Sequence, residues 1–296
     1  MAIRLTLDIF SGRLNPQIVL TDDQESELLN RMRPRKERLT RKELLPAPLS
    51  ILGYRGIVVE QLDRPSRGLP TSFRVANGDL IADDFRDRAS DENVELFLSG
   101  TSGPFQVLGL GPQFHDRVLK EIDRYRELRE EWRERRHHWP RRERCRCAPL
   151  YEPAWWNNDP TRLGCNNCYN YSTNYRTDNF AQPGMASGIS HNTTCATVIP
   201  AAIADGLINT ASANNRCPAE GHLVALVMAP GYDYHWYRKG RNGYWTHKPG
   251  GTPATNIDNS GNLIPDPRTA DRGVYTQFCT FMVVMHGHIK LKGPYC

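Results

Sequence analysis

Residues 165 to 175 read CNNCYNYSTNY, two thiols three residues apart with asparagines between them and tyrosines after them. Four kinds of chemistry fit cysteines in that setting. A redox CxxC sits between a strand and a helix of a parallel βαβ unit, and the strands expected downstream are antiparallel, which argues against it. A structural zinc ion would draw four thiolates from Cys145, Cys147, Cys165 and Cys168, with a tight CxC as the first pair. Disulfides are the third possibility: all eight cysteines (145, 147, 165, 168, 195, 217, 279 and 296) lie in the last part of the chain, and their number is even. The fourth is a nucleophile. A thiol in the first turn of a helix has its pKa lowered by the helix dipole, and a histidine can complete its activation. Asn166 and Asn167 are competent helix caps, which places Cys168 in such a first turn.

Histidines follow on expected strands: His222 in EGHLVALV, His235 in YDYHWYRK and His247 in YWTHKPG. Each also has a plain structural reading: His222 at a strand edge, His235 packed against Trp236 and Tyr237, His247 in the turn before Lys248-Pro249-Gly250. NCYNY at a helix start, then a GH-led apolar strand and a second strand with a histidine, resembles the papain-like cell-wall peptidases and amidases of the NlpC and CHAP kind. The resemblance spans about residues 160 to 285. It implies a helix followed by an antiparallel sheet, Cys168 as nucleophile, His222 as base and His235 as its orienter. The polar and aromatic density of DYHWYRKGRNGYWTHKPG departs from that family and favours His235 as the base, with Asp233 or His247 as orienter. Trp155, Trp156, Tyr169, Trp236 and Trp245 would then line a cleft for a peptide or glycopeptide.

The elements that must position these residues fall into two parts. Residues 1–140 read as a small α+β module. IRLTLDIF alternates like a half-buried strand, and Ser11-Gly12 with Asn15-Pro16 turns the chain after it. Thr21 with Gln24 forms a capping box for a helix through Leu28, Leu29 and Met32. A strand at Ile57-Val58-Val59 precedes SFRVANGDLIAD, where Asn77-Gly78 signals a hairpin. ENVELFLSG and the long charged FHDRVLKEIDRYRELREEWRERR are helical, the second stopped by Pro140. No nucleotide loop or catalytic constellation occurs here, which suits a recognition or assembly module capable of self-association.

Residues 141–296 read as a Cys-rich, papain-like α+β domain: a polar aromatic loop, APLYEPAWWNNDP, a short helix starting near Cys165 or Cys168, a helix through CATVIPAAIADGLI, and four strands carrying the histidines. Asn242-Gly243 turns the chain between the second and third strands.

The chain has 296 residues, a formal charge of +5, 39% hydrophobic and 9% aromatic residues, a composition of folded rather than disordered proteins. No apolar run approaches the ~20 residues that span a bilayer. Ten arginines lie between Arg124 and Arg146, interleaved with Glu127, Glu130, Glu131, Glu134 and Glu143. Mixed signs at helical spacing suit a solvated face with intrahelical ion pairs and weaken the field a nucleic acid needs; the basic end, Arg135 to Arg146, could face a polyanion or a protein partner. MAIRLTLDIFSGRLNP lacks the continuous apolar stretch of a signal peptide, while the cysteine usage favours an extracellular setting.

Three functions therefore stand open. One is a cysteine hydrolase or acyl transferase acting on peptide or amide bonds without a cofactor. Another is a secreted, disulfide-stapled structural, binding or assembly protein. The third is a module stabilised by one structural zinc and bearing a basic helix. Asn170-Tyr-Ser and Asn192-Thr-Thr also match the acceptor pattern for N-glycosylation.

Overall fold

A computed structural model describes residues 2–35, 50–63, 66, 68–82, 85–132, 144–209 and 214–295. The fold is α+β. The chain divides into two compact units: Met1–Ile9, Asn15–Pro48 and Tyr54–Arg133 form the first, and Phe10–Leu14, Leu49–Gly53 and Glu134–Cys296 the second. The segments 10–14 and 49–53 thus join the second unit, although both lie inside the stretch expected to form the first.

The first unit is an antiparallel sheet with helices. Its strands are β1 (Ile3–Leu7), β2 (Gln17–Val19), β3 (Ile57–Gln61), β4 (Ser72–Ala76), β5 (Asp79–Ala82) and β6 (Phe85–Arg88), in the order β2-β1-β3-β4-β5-β6. Along β1 and β3 every second residue is buried: Ile3, Leu5 and Leu7, then Ile57 and Val59, the period-2 pattern of a sheet with one covered face. Helix α1 (Asp22–Arg31) starts at the expected capping box, with Thr21 and Gln24 exchanging side-chain and backbone hydrogen bonds. Asn77 and Gly78 make the β4–β5 turn with φ of 54° and 73°; both values are positive, as the tight hairpin requires, and asparagine and glycine bear them at least cost. Helix α2 (Val94–Ser99) packs on α3 (Pro112–Trp132), which buries Val118, Ile122 and Tyr125 along one stripe. Most of the basic end, residues 133–143, lies outside the described residues.

An ion cluster is sealed inside this unit. The Asp8 carboxylate meets Arg55 Nη2 at 2.6 Å, Arg74 Nη1 at 2.7 Å and Asn15 Nδ2 at 2.9 Å, and Arg55 is fully buried. Burial would raise the Asp8 pKa, but the two guanidinium groups outweigh it and hold it at about 2.

The second unit holds a five-stranded antiparallel sheet in the order β10-β9-β8-β11-β7, made of β7 (Ile208–Asn209), β8 (His222–Ala229), β9 (Asp233–Lys239), β10 (Trp245–His247) and β11 (Gln277–Val284). Every residue of β8, β9 and β10 is buried, so the middle of the sheet is covered on both faces. The helices are α4 (Pro153–Asn157), α5 (Pro160–Cys165), α6 (Cys168–Thr173) and α7 (Cys195–Ala204). One of them, α4, forms within the loop expected around Trp155 and Trp156. The main apolar cluster joins Cys168 and Tyr169 of α6 and Val198 and Ala202 of α7 to Val224, Leu226 and Met228 of β8, Tyr234 and Trp236 of β9, and Met282 and Val284 of β11. These strand residues define the helix-covered face of the sheet.

Candidate functional site

Helix α6 begins as its sequence demands. Asn167 caps it, its side chain accepting from the N–H groups of Tyr169 and Asn170 at 3.0 and 3.1 Å, while Asn170 Oδ1 accepts from Asn167 N at 3.1 Å. This is an asparagine version of the capping box. Asn167 Nδ2 also donates to the carbonyls of Gly12 (3.1 Å) and Ala181 (2.8 Å), and all six residues of the helix are buried.

Cys168 sits in the first turn, but inside the apolar cluster, at 0% exposure. Burial pushes its thiol pKa up, the Asp233 carboxylate adds to the rise, and a backbone hydrogen bond with Trp236 opposes it only in part. The dipole of a helix end is worth at most ~2 kcal/mol, whereas taking a thiolate out of water costs several. The neutral thiol wins, and Cys168 is a core residue rather than an activated nucleophile.

Strand alternation separates Cys168 from two of the three histidines. Trp236 and Arg238 face α6, and Arg238 Nη1 donates to Tyr171 O at 3.1 Å. His235 and Tyr237, at the intervening positions, point to the other face. There His235 Nε2 lies 2.9 Å from His247 Nδ1, and His247 Nε2 lies 2.9 Å from Ile257 O. A carbonyl can only accept, so His247 carries a proton on Nε2. His247 stacks on Tyr237 with ring centroids 4.8 Å apart. His222 does share the α6 face, yet its Nε2 is spent on Ser172 O at 2.7 Å, about one helical turn beyond Cys168. Burial pushes its pKa down to about 4.

Among the described residues, Asp233 bonds no histidine. Its buried carboxylate accepts from the backbone N–H of Ser11 (2.5 Å) and Arg13 (3.0 Å) and from Tyr275 Oη (2.5 Å), with Gly12 N at 3.3 Å. Three successive amides converge on one anion, as in a backbone nest. The same loop is gripped through Gly12 O, which accepts from Asn167 Nδ2, from Gln182 Nε2 at 2.8 Å and from Tyr234 Oη at 3.2 Å. A side chain at Gly12 would collide with the Tyr234 ring, so the close approach requires glycine. Lys248 is held in a similar way: its buried ammonium donates to the carbonyls of Leu163, Asn166 and Gly250 at 2.5, 2.5 and 2.8 Å.

The aromatic residues expected in a substrate cleft are mostly core. Tyr169, Trp236 and Trp245 are fully buried and Trp156 is 3% exposed; only Trp155 reaches solvent, at 45%, with the Arg162 guanidinium over its ring at 4.5 Å. The four-thiolate zinc set is not assembled either. Cys145 is bonded to Cys217 and Cys195 to Cys279, Cys165 also forms a disulfide, Cys147 is exposed and free, and Cys168 is buried and free. Among the described residues no cluster of three or more His, Cys, Asp or Glu side chains is placed to hold a metal.

A cleft of about 460 Å³ opens elsewhere in this unit, lined by Arg13, Gln182, Met185, Ile189 and His191 among others. Apart from Arg13 in the early SGR, these residues lie in or beside the loop AQPGMASGIS; neither segment carries periodicity, and only the fold joins them.

Fold and site together define an α+β protein with disulfides, a free exposed thiol at Cys147 and a free buried one at Cys168, and among the described residues no acid–base pair is assembled beside Cys168. A 141-residue stretch of the chain is 47% identical to "Insoluble matrix shell protein 1" of Ruditapes philippinarum, covering 47% of this chain and 91% of that protein. The chain belongs to the family of that shell matrix protein. No protein-family model and no solved structure matches it. The kinship overturns the peptidase and hydrolase expectation, and the burial of Cys168 supplies the physical reason. No helix among the described residues is long and apolar enough to cross a membrane.

Proposed function

We propose that this chain is a structural component of an extracellular matrix and acts by assembly rather than by catalysis. The observation that carries the proposal is its kinship with a protein named for an insoluble shell matrix. The chemistry of the second unit supports it. Its disulfides belong to an oxidising compartment, and its buried polar side chains are spent on fixing loops: Asp233 on Ser11–Arg13, Lys248 on three carbonyls, His222 on Ser172. Such a unit resists unfolding and presents a fixed surface. Self-association through the module of residues 1–140 builds the assembly.

Fractionation tests this reading. In the tissue that makes it, the protein is expected in the extracellular matrix pellet after extraction with salt and mild detergent, and to leave the pellet only with denaturant or reductant. Recovery of the bulk of it from the soluble intracellular fraction would sink the proposal.

A further inference from the structure

We infer that Asn192 carries an N-linked glycan and that Asn170 does not, although both match the acceptor pattern. The inference rests on the extracellular reading above, because the donor, an oligosaccharide linked to a polyprenyl diphosphate, is met on the export route. In the transfer, Asn192 Nδ2 forms a bond to the anomeric carbon of the first sugar. The bond from that carbon to the diphosphate oxygen breaks, its electron pair leaves on the diphosphate, and the amide gives up one proton to water; nothing is oxidised or reduced.

The two asparagines differ in what their side chains already do. Asn170 is fully buried in α6. Its Oδ1 accepts from Asn167 N and Ala181 N, and its Nδ2 donates to Tyr175 O at 3.2 Å and Thr177 Oγ1 at 2.7 Å. Every hydrogen-bonding position of that amide is used inside the unit, and a sugar on Nδ2 would exclude α6 from its place. A chain modified there could not reach this fold.

Asn192 is exposed, in the turn that leads into α7. Its backbone carbonyl is held by Thr194 N at 2.9 Å and Thr197 Oγ1 at 2.7 Å, which fixes the turn. Its side-chain amide makes no hydrogen bond among the described residues. Thr194, the third residue of the pattern, is exposed as well, and among the described residues its hydroxyl bonds only Thr197 Oγ1, at 2.8 Å. Both groups the transfer needs are therefore presented to solvent on a fixed loop, one residue before the Cys195–Cys279 disulfide.

The test is peptide mapping of the full chain secreted from eukaryotic cells behind a leader, with and without peptide-N-glycosidase in heavy-oxygen water. The expected result is a glycosidase-sensitive mass, with the heavy-oxygen label on the Asn192 peptide and none on the Asn170 peptide. N192Q and T194A abolish the shift and T194S retains it, while all three are secreted with their disulfides formed, since both side chains are exposed and the one contact T194A removes, to Thr197 Oγ1, is an exposed one. An unlabelled Asn192 peptide from secreted, disulfide-bonded chain overturns the inference while leaving the structural reading intact, as does label on Asn170. A secreted chain with Cys145 and Cys195 reduced overturns the structural reading instead.

Discussion

Acidifying the protein from pH 7 to pH 4 is expected to remove about 3 kcal/mol of stability through one side chain, His222. Its Nε2–H donates to Ser172 O at 2.7 Å and its ring is buried, so the folded state holds it neutral down to about 4. In the unfolded chain it protonates at its ordinary value, near 6.5. Between those values the unfolded state binds more protons, so the contribution is complete above pH 6.5 and is lost as pH falls through the window toward 4. The interval, at ~1.4 kcal/mol per pH unit, amounts to ~3 kcal/mol. Urea titrations followed by tryptophan fluorescence suit the measurement, because Trp236 and Trp245 are buried in the same sheet. Buried carboxylates titrate in an overlapping range, so the informative quantity is the difference from H222Q, whose amide can still donate to Ser172 O. The variant is expected within ~1 kcal/mol of the parent at pH 7 and to lose ~3 kcal/mol less on reaching pH 4. Parallel curves for the two proteins would refute a sealed, neutral His222.

Three further outcomes follow from the second unit. Under native, non-reducing conditions a thiol alkylator is expected to modify Cys147 and leave Cys168 unmodified until the unit unfolds, since Cys168 is buried and its pKa is raised; mapping label on native Cys168 would contradict this. G12A is expected to lose ~1–3 kcal/mol by overpacking against Tyr234, with faster amide exchange at Ser11–Arg13; unchanged exchange would show that the loop is not gripped. Removing the Cys195–Cys279 bond with paired alanines is expected to cost up to ~4–5 kcal/mol, the chain-entropy value for its separation of 84 residues, read as a lower urea midpoint; an unshifted midpoint would be the contrary result.

Much of the local structure was legible because it depends on neighbours in sequence. The Thr21–Gln24 capping box, the Asn77-Gly78 hairpin and the Asn cap of α6 all formed where their side chains and backbone preferences place them. What surrounds Cys168 depends on features that local sequence cannot carry. In DYHWYRK both faces are buried, so no alternation of polarity revealed that His235 and Trp236 point oppositely, and that parity separates His235 from Cys168. One partner of Asp233 is Ser11, 222 residues away, and no spacing rule reaches so far. Cys168 was correctly placed at a helix start, but its reactivity depends on burial against β8, β9 and β11, which outweighs the helix dipole.

The central claim is that the chain works by assembling. Sedimentation of the full chain, disulfides intact, across a wide concentration range tests it most directly. The account predicts a weight-average mass that climbs with concentration well above the 33.7 kDa of one chain, ending in material that pellets. A single species of that mass at every concentration would contradict it.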